Sequence, residues 1–217
     1  LMRSIIYTAL LVLTLALPVS AQMDYQAPPD LELLHRPYDQ LLDSYVRDGL
    51  VYYRALKMDR ARLDHYVTSL GSATSLLASW DKPKQIAFWI NAYNALVLEA
   101  AVNHYPAPIR KVPGAFDSVK YSVAGRMVTL DQIENTILAE YNDPRIYLAL
   151  GRGGMDSGRL RSEAYSGPRL EVQLAQAAEQ FAISPKYVQI DQLAGTVRVS
   201  PIFSWRSKAF VDAYADK

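Results

Sequence analysis

From about Pro83 to Asn103 the chain is apolar on nearly every face a helix could present, through Ile86, Phe88, Trp89, Ile90, Tyr93, Leu96, Val97, Ala100 and Ala101. A helix without a polar face has to be wrapped by the rest of the protein. This segment therefore predicts one central buried helix, and the fold has to be assembled around it. Two asparagines interrupt it, Asn91 and Asn94, spaced three apart and so on one face. A buried amide without partners costs about 1–3 kcal/mol, so each needs a specific hydrogen-bonding role. Two roles fit: holding a neighbouring loop or hairpin in place, or lining a binding cleft.

Around that helix the periodicities change repeatedly. Leu34, Tyr38, Leu41, Leu42 and Tyr45 fall at helical spacing from Leu31, and Leu63, Tyr66, Val67 and Leu70 mark a second helix closed by Gly71-Ser72. Tyr105 to Gly114 carries Pro106, Pro108 and Pro113 and predicts a loop. Val119, Tyr121 and Val123 alternate, Ala124-Gly125 can turn, and Met127-Val128 return, which predicts a hairpin. Thr129 with Gln132 is a capping box opening a helix with Leu130, Ile133, Ile137 and Tyr141 on one stripe. Asp143-Pro144 breaks it, Arg145 to Leu150 predicts a short apolar strand, and Leu170, Leu174, Ala177, Ala178 and Phe181 mark a further helix. Tyr187–Ile190 and Thr196–Val199 predict a second hairpin, and Phe203 to Tyr214 a closing helical segment. The expected class is α+β, helices packed around a small, mainly antiparallel sheet.

The first residues predict export. Arg3 precedes an apolar run from Ile5 to Leu17, within the ~7–15 residues of a signal h-region, and Pro18-Val19-Ser20-Ala21 sets small residues at a cleavage site after Ala21. That run is shorter than the ~20 residues a membrane span needs. The expected layout is a signal peptide over 1–21, a tether over 22–30 and one domain over 31–217, placed in the periplasm or secreted, with no stable membrane insertion after cleavage. The chain has 23 Lys and Arg against 22 Asp and Glu, and losing Arg3 leaves the mature domain formally neutral. Neutrality argues against nucleic acid as a partner, which rewards clustered basic charge. The chain has no cysteine, so it offers no disulfide, thiol nucleophile or thiolate ligand.

Three places could carry chemistry. The first is the Asn91/Asn94 pair. The second is Glu134 with Asn135; Glu134 lies one turn beyond Leu130 and so should point at least partly toward the protein, and two placements fit it, a buried carboxylate or a solvated one on the helix surface. The third is the loop from Gly151 to Pro168, longer than the ~12–15 residues beyond which structureless loops are usually functional. It holds Gly151, Gly153, Gly154 and Gly158, with Arg152, Arg159 and Arg161 against Asp156 and Glu163. Exposed backbone amides beside arginines can hold a carboxylate or phosphate, and a flexible surface loop is the other reading. No Gly-Lys-Ser/Thr closes this loop, so it is not a P-loop. His35, His65 and His104 are dispersed, and the spacing predicts surface or capping roles rather than metal ligation. Nothing in the motif set implies a cofactor or a metal.

Phe88-Trp89-Ile90-Asn91-Ala92-Tyr93-Asn94-Ala95 resembles the signature of the domain-of-unknown-function family numbered 547. The resemblance runs on in order through Val51–Leu70, Leu130-Asp131-Gln132-Ile133-Glu134, Asp143-Pro144-Arg145-Ile146 and Ser200-Pro201-Ile202-Phe203-Ser204-Trp205. Family members usually carry histidine after the Ile-Glu pair, where this chain has Asn135. They usually carry Asn-Cys after the short strand and then a second cysteine and prolines, where it has Gly151-Arg152 and then Ser157, Gly158 and Arg159. A histidine and a cysteine so placed imply a thiol-hydrolase reading, the histidine lowering the thiol pKa. Both halves are missing here, so the resemblance implies a member without that mechanism.

Three functions follow as expectations. A non-catalytic exported binding domain would line the family cleft with Asn91, Asn94, Glu134, Asn135 and Arg152, together with Asp156 and Arg161, to hold an envelope ligand or a protein segment. An envelope hydrolase or transferase would use Glu134 as general acid/base, with Arg152 or Arg161 holding an anionic substrate. A scaffold would offer its tyrosine-rich surface to partners without a small-molecule site.

Overall fold

The computed structural model describes residues 30–154 and 157–214. The predicted signal peptide, nearly all of the tether, and Asp156 lie outside the described residues.

The central helix is α5 (Lys82–His104), with sixteen buried residues spread around its circumference. Asp81 caps it by accepting a hydrogen bond from the Lys84 N–H at 3.0 Å, and Pro83 stands in the first turn, where its missing N–H costs nothing. Among the helices packed on it are α1 (Leu31–Tyr45), α2 (Tyr53–Met58), α3 (Ala61–Gly71) and α8 (Leu170–Ile183). No helix among the described residues is long and apolar enough to cross a membrane.

The class is α+β, and the strands form three separate two-stranded antiparallel ribbons. They are β1 (Val46–Arg47) with β2 (Leu50–Val51), β3 (Tyr121–Val123) with β4 (Arg126–Val128), and β5 (Val188–Asp191) with β6 (Thr196–Val199). The middle ribbon turns through Ala124 and Gly125, both at positive φ, as its sequence predicts. Two short helices went unread in the sequence, α2 and α4 (Thr74–Ser79), each a six-residue piece too brief to show a period.

The predicted strand at Arg145–Leu150 is instead a helix, α7 (Arg145–Leu148). Asp143 holds the Arg145 N–H at 3.0 Å and pairs with its guanidinium, which favours a helical start after Pro144 over an extended chain. The helix expected from Thr129 to Tyr141 also changes character along its length. The capping box forms, with the Gln132 N–H donating to Thr129 Oγ1 and the Thr129 N–H to Gln132 Oε1. After one α turn, α6 (Leu130–Gln132), the backbone widens to a π turn over Ile133–Ile137 and ends in a 3-10 turn. The closing segment comprises α9 (Ile202–Trp205) and α10 (Ser207–Tyr214).

His35 corrects another expectation, because it is buried in α1 rather than placed at the surface or at a cap. Its Nδ1 lies 2.6 Å from the Tyr66 hydroxyl, and Tyr66 stacks on Tyr38. Burial pushes the imidazole pKa down from 6.5 to about 3. The fold therefore accepts only the neutral ring, while the unfolded chain protonates below pH 6.5. Stability from this group is complete above pH 6.5 and falls as pH drops toward 3, by up to ~1.4 kcal/mol per pH unit. In urea titrations at pH 7 and 4.5, His35→Gln should lose less stability between the two pH values than the parent. Equal losses would remove His35 as the cause.

Candidate functional site

The two asparagines of α5 are amide clamps. Asn94 donates from Nδ2 to the Ala149 carbonyl (3.0 Å) and accepts the Gly151 N–H at Oδ1 (2.8 Å). Asn91 does the same to a single residue, donating to the Tyr165 carbonyl and accepting its N–H, both at 2.8 Å. One helix turn therefore grips the Gly151–Pro168 loop at both ends. Gln173 of α8, fully buried, adds a third amide grip on the Ala164 carbonyl (2.9 Å) and the Ser166 N–H (2.9 Å), and Asp39 accepts the Ala164 N–H at 2.8 Å. The chain obtains from side chains the backbone hydrogen bonds that a buried loop otherwise lacks.

Gly158 is fixed by packing: a Cβ there would lie 2.4 Å from the Leu148 carbonyl oxygen. Inside the loop the Ser157 hydroxyl accepts the Arg152 N–H (3.0 Å) and donates to the Gly154 carbonyl (2.9 Å). The Gly151 and Arg152 amides are thus committed to the fold rather than open to an anion.

Glu134 sits on the π turn and is 3% exposed. The wider turn aims it into the protein while Asn135 faces solvent. Its Oε2 accepts hydrogen bonds from the Tyr93 hydroxyl (2.8 Å) and from Arg152, and its Oε1 accepts one from Arg206, at the junction of α9 and α10. Each guanidinium also covers a ring: Arg152 lies 4.8 Å from the Phe116 centroid and Arg206 lies 4.9 Å from that of Tyr147. Asp131 stands 3.9 Å from Arg152. Burial alone would raise the Glu134 pKa, but Arg152 and Arg206 outweigh it and hold the carboxyl below its usual range. Burial, reinforced by the Glu134 charge, pushes the Tyr93 phenol well above its ordinary value. The group therefore presents a fixed carboxylate, a neutral phenol and two permanent cations. The premise of a Glu134 acid, a pKa raised toward neutrality, is not met.

A cleft lies elsewhere. It has a volume of about 410 Å³ and lies between the near end of the loop, the β1–β2 hairpin and the end of α8, with Asn94, Val97 and Leu98 as its α5 wall. Of the expected residues it takes in Asn94 and the loop glycines; Glu134, Asn135, Arg152 and Asn91 are not among its lining. The five side chains expected to share one cleft are thus split, because the asparagines spend their amides on the loop and Arg152 turns to Glu134. Arg161 is at the far end of the loop, pairing with Glu163 and donating to Gln176 at 2.9 Å. Sequence reasoning missed Tyr93, Arg206, Gln173 and Asp39. Gln173 was findable as the polar residue on the Leu170–Leu174 stripe; Arg206 carried no local signal.

Two substitutions separate clamp from charge centre. Asn94→Ala should cost about 1–3 kcal/mol and speed amide exchange at Gly151 while leaving Tyr165 protected; slow exchange at Gly151 would contradict the clamp. Glu134→Gln leaves two half-buried arginines without their shared carboxylate, Arg152 keeping only Asp131 at 3.9 Å, and a loss of about 3 kcal/mol is expected. Because the folded pKa is depressed, that contribution is present above the unfolded carboxylate pKa and disappears as pH falls through the folded value. A near-neutral substitution at pH 7 would show that the arginines find other partners.

The family model described as protein of unknown function, DUF547, matches residues 77–182, from α4 through α5, the π turn and the clamped loop into α8. Neither a curated protein nor a solved structure matches the chain. Residues 77–182 of the chain are thus similar to the DUF547 family.

Proposed function

We propose that this chain is an exported, non-catalytic binding domain whose ligand occupies the 410 Å³ cleft beside the clamped loop. The observation that carries this reading is the pairing of Arg152 with Glu134. At the position where the family resemblance leads one to expect a thiol there is a cation, and it is bound to the carboxylate that would otherwise be the best remaining acid or base. A general acid must hold a proton near the working pH, and a carboxyl held low by two guanidinium groups does not. The cleft nearby offers apolar walls from Val97, Leu98 and Leu160 with a few polar groups at its rim, the mixture typical of ligand sites. Arg3, the Ile5–Leu17 run and the Pro18–Ala21 boundary support export.

Two measurements test this reading. Expressed with its leader in a Gram-negative host, the protein should appear in the periplasm with Gln22 as its first residue by intact-mass spectrometry; an uncleaved cytoplasmic chain would refute export. Incubated with soluble cell-wall fragments, the purified protein should bind saturably and return them unchanged by mass spectrometry. Ser184→Trp, which fills the cleft from its wall, should weaken that binding more than about tenfold, ~1.4 kcal/mol, with the fold intact. Turnover by the parent that disappears in Glu134→Gln would establish acid/base catalysis in place of binding.

A further inference from the structure

The hairpin that walls the cleft has an edge of defined phase. The Tyr52 N–H donates to the Tyr45 carbonyl at 2.9 Å, and the register continues as Val46↔Val51 and Arg47↔Leu50. Hydrogen-bonded and non-bonded pairs alternate in an antiparallel ladder. Val46 and Val51 therefore form a non-bonded pair, and the N–H and C=O of Val51 face away from β1. Among the described residues the ribbon has two strands, and no third strand takes them.

Val51 also stands where two concavities meet. With Tyr53 it lines both the 410 Å³ cleft and an adjoining apolar trough of about 510 Å³, walled by Tyr52, Met58 and Tyr105. Met58 is 85% exposed and Tyr52 57%, while the Tyr53 and Tyr105 rings stack at 6.2 Å. An exposed thioether among aromatic rings is a surface suited to apolar side chains of varied shape. The charge of the joined groove is positive. Arg159 pairs with Asp48 at 3.1 Å, whereas Lys186 in the cleft and Arg54 in the trough have no carboxylate partner among the described residues.

We infer that the groove takes an extended acidic peptide segment, added along Val51 as a further strand, with an apolar side chain in the trough and a carboxylate side chain toward Lys186. The inference rests on the binding-domain reading and gives its ligand class. Main-chain pairing supplies affinity in this mode, and alternate side chains supply specificity. A glycan would stack on the tyrosines but finds few hydrogen-bonding groups in the trough beyond Arg54, and it has no use for a peptide edge.

The test pans the purified full-length protein against a phage-displayed library of random peptides about a dozen residues long, then titrates the selected peptide by calorimetry. Selected sequences should combine a large apolar residue with Asp or Glu. Lys186→Glu and Met58→Asp, both at exposed positions, should each weaken the peptide about tenfold or more, ~1.4 kcal/mol, with unchanged thermal unfolding. Bound peptide should also slow amide exchange at Val51. No enrichment, or enriched peptides indifferent to both variants and to Val51 exchange, would overturn the inference. Cell-wall fragments or chitohexaose binding in a Ser184→Trp-sensitive way while peptides fail would overturn the peptide and leave the binding domain standing. If neither class binds, both readings fall.

Discussion

A primary amide can imitate a peptide group, and the structure depends on this at three side chains. Asn91, Asn94 and Gln173 each donate and accept against loop backbone, so a long irregular segment runs over the central helix with its polar groups satisfied. Without them the buried N–H and C=O groups would each cost on the order of a hydrogen bond, against which the loop would have only the burial of Leu160, Ala164 and Tyr165. The loop side of the cleft inherits its position from this arrangement, because the glycines that shape it belong to the clamped segment.

The clamp also explains the second centre. With Asn94 fixing Gly151, the next residue, Arg152, is delivered to Glu134 beneath Tyr93. Two guanidinium groups on one buried carboxylate form an ion cluster that is costly to break once made. Such a centre organises structure and offers little to a reaction, since none of its groups changes charge easily. The open, weakly charged cleft is where a ligand meets less resistance.

Much of the fold was legible because its signals were local. The all-round apolar run gave α5, the Thr129/Gln132 pair gave a true capping box, and Ala124-Gly125 gave the middle turn. The apolar stretch at Arg145 misled because short apolar runs suit strand and helix alike, and the deciding contact was an Asp143 side chain. At the site, the anomaly of Asn91 and Asn94 was visible, and of the two roles open to them the loop-holding one is realised. Their partners were not visible, since Ala149, Gly151 and Tyr165 contribute only backbone. The direction of Glu134 was half legible: a regular helix would have turned it partly inward, and the π turn, which carries no residue signature here, completed the rotation. Arg206 lies 72 residues further on, and only the folded chain brings it back.

That last separation bears on the order in which the molecule can be built. Glu134 and Arg152 lie 18 residues apart, and Arg206 follows Glu134 by 72. Until residue 206 is available, the carboxylate has only one of its two guanidinium partners and the closing helices have no ionic anchor on the body. Assembly of this centre therefore waits on a long-range contact that the chain up to Trp205 cannot supply. The same link makes α9 and α10, which lie outside the family-matched stretch, an integral brace of the domain rather than an appendage.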